Sequence, residues 1–169
     1  MTGAAQRASL AAIGRDLARE AGDRRATALL RSLQGGVDEA PSELSDLAEA
    51  PDWLRAPRAA QREVARRAAL LAMAPMLATS IDGAWLGSLA ELCGEDVLDW
   101  AIGHADAVEG AAMPRTAPDQ LDAAGFGLLR AALLPSLRPL LDWAPAGMAV
   151  MDAGAAERLV ATAWERNRS

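Results

Sequence analysis

The stretch Ala68-Ala69-Leu70-Leu71-Ala72-Met73-Ala74-Pro75-Met76-Leu77-Ala78 has no charged or hydrogen-bonding side chain. Arg58, Arg62, Arg66 and Arg67 stand just ahead of it. A run of helix formers that is apolar all round belongs in the middle of a helical domain. Eleven such residues fall far short of the roughly 20 that cross a bilayer. Residues 57–81 are therefore expected to form a central buried helix with a basic start, Leu71 and Leu77 lying in the core. Pro75 lacks the N–H that would bond the Leu71 carbonyl, so a kink or break is expected there.

Downstream, the pattern continues as helix. Ser80 or Asp82 can cap a helix carrying Trp85, Leu86, Leu89 and Leu92, with Gly94 at its end. Glu95 to His104 reads as a short helix burying Val97, Leu98, Ala101 and Ile102. After a loop over 106–116, Thr116 and Pro118 suit another helix start, with Leu121, Ala124, Leu128 and Ala132 on one face. Pro135 and Pro139 bracket a tight corner. Asp152 opens the last helix, with Ala156, Val160 and Trp164 inside.

Upstream, Leu10, Ile13 and Leu17, then Ala26, Leu29, Leu30 and Leu33, recur at helical spacing. Residues 35–57 hold Pro41, Pro51, Pro57 and many acids. They read as a linker with one or two short helices, such as Ser42 to Glu49. No segment alternates with period two for long enough to make a strand. The expected fold is all-α: a single compact multi-helix domain over residues 1–169, organised around the central helix.

The length of 169 residues suits one domain with a sizeable core. All 17 basic residues are Arg, which we read as the coding bias of a GC-rich bacterium. The net charge of −6 argues against general nucleic-acid binding. A single cysteine, Cys93, rules out an internal disulfide and fits a reducing compartment. The first ten residues lack the basic start and apolar core of a signal peptide, so a cytoplasmic location is expected, without membrane insertion. Charge is uneven: Asp82 to Asp122 carries nine acids and one base, Arg115. Asp-Trp occurs three times, at Asp52-Trp53, Asp99-Trp100 and Asp142-Trp143. The spacings of 47 and 43 residues are those of helical-hairpin repeats.

Little in the chain suggests chemistry. His104 is the only histidine, and Trp100 one turn earlier is an expected ring contact; a helix-end role outweighs that of general base. Cys93 has no basic sequence neighbour to lower its pKa, so a buried structural thiol is expected. Glu91, Glu95 and Asp99 fall at i, i+4 and i+8 and read as a solvated acidic stripe. No catalytic residue, metal ligand or cofactor site is expected: di-iron bundles need Glu-x-x-His pairs, and one His with one Cys cannot hold a structural zinc.

The candidate site is instead the arginine stripe Arg58, Arg62 and Arg66. Like charges at this spacing repel, and cations at a helix start oppose the dipole. Such a face implies an anionic partner: the acidic middle of this chain, or an acidic surface on another protein.

The segment Val64 to Ala105 resembles the small cytoplasmic K-subunit of type III secretion sorting platforms. It shares with that family an apolar helix at Ala68 to Ala78, a helix bearing Leu86-Gly87-Ser88-Leu89, then Gly94 and a short helix to Ile102. Gly125 to Leu133, with Pro135 and Arg138 after it, is a second similar segment. The resemblance implies an all-helical, non-enzymatic adaptor linking a membrane-ring protein to a sorting platform. The alternatives are a bundle holding a small apolar ligand between Trp85, Trp100 and Met76, and an enzyme of undefined class. Homo-oligomerisation is left open.

Overall fold

The computed structural model of the chain describes residue 46 and residues 50–108, 112–147 and 151–168. The helices expected over residues 10–33 and most of the linker lie outside the described residues. The described residues belong to one unit, Ala40–Ser169. Among them there is no strand, and the all-α expectation holds. The order is α1 (Asp52–Arg55), α2 (Arg58–Thr79), α3 (Gly83–Cys93), α4 (Glu95–Ile102), a 3-10 turn (Ala105–Ala107), a second (Pro118–Gln120), α5 (Leu121–Ala131), a 3-10 helix (Pro135–Leu141) and α6 (Ala153–Arg168).

α2 is the expected central helix. Val64, Ala65, every residue from Ala68 to Ala74, and Leu77 are buried. An unbroken buried run requires neighbours all round, and α5, α6 and α4 supply them. Burying each large side chain contributes about 1.5–3 kcal/mol relative to exposure. Phe126, Leu121, Leu128 and Leu129 on α5 and Leu159 and Val160 on α6 close the core.

The expected break at Pro75 does not occur: α2 runs on to Thr79. Pro75 is half-buried and Ala78 exposed, so the proline sits where the helix is already leaving the core. The lost donor affects one carbonyl. Beside it the loop returns a bond, from the Met113 N–H to the Ala72 carbonyl at 2.8 Å. Asp82 then accepts from the Trp85 N–H at 3.1 Å and caps α3, and Asp152 caps α6 through the Ala155 N–H at 2.9 Å. Thr116, the expected cap of α5, makes no such bond; the chain enters α5 through the turn Pro118–Gln120 instead.

Gly94 has φ +93°, a conformation glycine adopts without a Cβ penalty. It ends α3 and starts α4, so Glu91 and Asp99 belong to different helices. The expected stripe of three carboxylates on one helix face is therefore split, although Glu91, Glu95 and Asp99 are all exposed. The three Asp-Trp pairs also occupy unlike settings. Trp53 is buried on α1, Trp100 is half-buried inside α4, and Trp143 is half-buried in the turn after Pro135–Leu141. They mark no structural repeat.

The end of the proline-rich segment packs against the core. Trp53 is only 4% exposed. Buried Gln61 ties α1 to α2 by donating from Nε2 to the Leu54 and Ala56 carbonyls at 2.8 and 2.9 Å. Those carbonyls close a helix end and have no intrahelical partner.

Candidate functional site

The arginine stripe lies along the first half of α2, opposite α5. Arg66 is held bidentately by Asp122, at 2.6 Å from Nε and 3.3 Å from Nη2. Both side chains are mostly buried, at 19% and 25% exposure. The hydrogen bonds that Arg66 donates to Asp122 push its pKa up, outweighing the opposing effect of burial. Arg62 approaches the same carboxylate at 3.5 Å. Arg58 lies over the Trp143 ring, 5.2 Å from its centroid, within cation–π range. Of the two anionic partners expected for the stripe, the structure shows the intrachain one, Asp122. Arg58 and Arg62 remain exposed to solvent on their outer sides.

A second ion pair fastens the loop after α4. Arg115 meets Asp82 at 2.6 Å and stacks on Trp85 at 4.4 Å. Trp85 in turn donates its indole N–H to the Thr116 carbonyl at 3.0 Å. The hydrogen bonds from Arg115 and the Trp85 N–H hold Asp82 below the usual carboxylate range. Trp85 is thus fully used in packing.

His104 follows the end of α4. It donates from Nδ1 to the Trp100 carbonyl at 2.7 Å, and the rings lie 5.1 Å apart, tilted by 50°. The ring contact is as expected, and the hydrogen bond satisfies a carbonyl of the last turn. Burial pushes the Cys93 thiol up to about 11, which fits the inert thiol expected. Among the described residues, no group of three or more His, Cys, Asp or Glu side chains is placed to hold a metal ion. Nor is any described helix long and apolar enough to cross a membrane.

What sequence spacing did not indicate is a groove between α1, the Pro135–Leu141 segment and α6. It encloses about 640 Å³ and is open along one side. Trp53, Leu133, Leu137, Val160 and Trp164 lie along it, with Leu134 and Pro135 at the edge. Leu134 and Leu140 are 48% and 46% exposed; with Ile81 they are the exposed large hydrophobic residues among those described. Two of the three therefore fall in one short segment. Hydrogen bonds from two arginines fasten the segment. Arg130 donates to the carbonyls of Leu141, Ala144 and Pro145 at 2.7–3.0 Å, and Arg138 donates back to the Arg130 carbonyl at 3.1 Å. The groove draws residues from three separated parts of the chain, so no local pattern could have revealed it. The expected ligand-lining residues Trp85, Trp100 and Met76 do not line it.

No protein-family model matches this chain, and neither a curated protein nor a solved structure matches it.

Proposed function

We propose that this chain is a non-enzymatic helical adaptor that docks a protein partner within a larger cytoplasmic assembly. The observation that carries the reading is Leu134 and Leu140, exposed on a segment fastened by hydrogen bonds, the former lining an open groove. Exposed apolar surface beside a groove marks an interaction site, and Leu134 lines the groove while Leu140 lies on the same segment. An enzyme would need convergent titratable groups in a cleft. Among the described residues, the perturbed groups are accounted for by structural pairing or burial. The resemblance of Val64 to Ala105 and of Gly125 to Arg138 to the K-subunit of type III secretion sorting platforms makes such a platform the proposed assembly.

An apolar ligand is the weaker reading. The groove has the volume of a ligand site, but such sites enclose most of their ligand, and this one is open along one side.

In vivo cross-linking in the source cell tests the adaptor reading. Leu134→Asp with Leu140→Asp should leave the melting temperature within about 2 °C of wild type and abolish the major cross-linked species. An unchanged cross-linking pattern from the folded variant would overturn it.

A further inference from the structure

We infer that the outer face of Arg58 and Arg62 docks a short acidic segment of a partner protein, a contact beyond the groove, which neither arginine lines. The first argument is the pairing of the stripe. Asp122 is the carboxylate that meets it from α5, and Arg66 takes both oxygens. Arg62 reaches Asp122 through Nε, at 3.5 Å, and its two Nη groups have no carboxylate among the described residues. Arg58 forms no ion pair among the described residues; its contact is the Trp143 ring. The other acids nearby do not make up the difference. Glu63 lies 3.9 Å from Arg66 and from Arg67 and pairs with neither Arg58 nor Arg62. Asp142, beside Trp143 in the chain, acts on Arg130. Asp119 is exposed and pairs with neither arginine. The first turn of α2 holds no acid and no side-chain cap, so the helix dipole adds to the positive potential at this end.

The second argument is the fit to an occupant. Arg58 and Arg62 stand one turn apart and are exposed, Arg62 to 49%. Each guanidinium offers its N–H groups in a planar fork that matches a carboxylate. Trp143 and Asp122 hold the two side chains from the inner side, so less side-chain freedom is lost on binding. From Arg58 to Arg66 the stripe runs for about 12 Å at 1.5 Å per residue. That length suits an acidic run of a few residues. The chain as a whole carries −6, which repels an extended polyanion such as nucleic acid or an anionic membrane. A short acidic segment stays within the local positive field, because charges farther off than about 8–10 Å are screened.

A fluorescein-labelled peptide of about 12 residues rich in Glu and Asp, titrated onto the full chain at low salt and followed by anisotropy, tests the inference. Arg58→Gln with Arg62→Gln should weaken binding at least about tenfold and flatten its salt dependence, with the melting temperature within about 3 °C of wild type. The charge-matched control Arg158→Gln with Arg166→Gln should change the affinity by less than about twofold. A single-stranded DNA of the same charge, and phosphatidylcholine vesicles with about 30% phosphatidylserine, should bind more weakly than the peptide. No peptide binding at low salt, equal losses in the two double variants, or tighter binding of the DNA or the vesicles would overturn it. So would a large loss of stability in the Arg58 and Arg62 variant, which would assign both side chains to the fold. Cross-linking lost in the leucine variant while the peptide ignores the arginines would leave the adaptor reading standing and this face refuted.

Discussion

The α2–α5 crossing is set by a contact with no room for one more atom. Gly125 is buried on α5, and a Cβ there would overlap the carbonyl oxygen and carbon of Ala65 on α2. The clash is with backbone, so no rotamer change can relieve it; the helices must separate. Overpacking typically costs about 1–3 kcal/mol, and an overlap with rigid backbone falls at the upper end. Gly→Ala inside a helix gains about 1 kcal/mol from propensity. The net loss for Gly125→Ala is then about 2 kcal/mol, or about 4–8 °C in melting temperature at this chain length. Gly87 is the control. It lies inside α3, exposed, and a Cβ there meets nothing. Gly87→Ala should therefore raise the melting temperature by about 1–4 °C. Thermal unfolding followed by circular dichroism at 222 nm reads both. Shifts of the same sign would refute the reasoning. So would rescue of Gly125→Ala by Ala65→Gly, since that would place the contact on a side chain.

Further predictions concern the polar contacts. A double-mutant cycle of Arg66→Met and Asp122→Asn should give a coupling of about 1–3 kcal/mol in urea unfolding, because both partners are mostly buried; a coupling near zero would make the pair incidental. Cys93, with its pKa at about 11, should react with a disulfide reagent at pH 8 about 100-fold more slowly than a free thiol. Its rate should still be rising at pH 10, and a plateau near pH 8.5 would contradict its burial. The Asp82 pKa lies below its ordinary 3.8, so its charged form is the one favoured in the fold. The Arg115–Asp82 contact is then intact at neutral pH and lost only as pH falls through that depressed value. Trp85 emission should show an acid transition below pH 3.8 that Asp82→Asn removes; a transition that persists in the variant would assign it elsewhere.

The helix class, the central position of α2 and the caps at Asp82 and Asp152 were legible in the residues, because capping and burial period are local properties. So was the ring contact between Trp100 and His104. The arginine stripe was legible as a set of charges in need of an anion. That the anion seen is Asp122 followed only from packing α5 against α2, which brings together residues 56 positions apart in the chain. Of the kink or break expected at Pro75, the break is absent for a related reason: the proline's helix-breaking tendency is local, but it acts within the last turns of a helix already held by the core. The Glu91–Asp99 stripe failed at Gly94, where a positive φ turns the chain between two helices. The groove was not legible at all. It exists because Trp53, Leu134 and Trp164 come to line one cavity, and sequence periodicity carries no information about which distant elements become neighbours. What the sequence determined by itself was which faces must be buried and where helices start and stop; which faces meet, and the cleft left between them, was decided by tertiary packing alone.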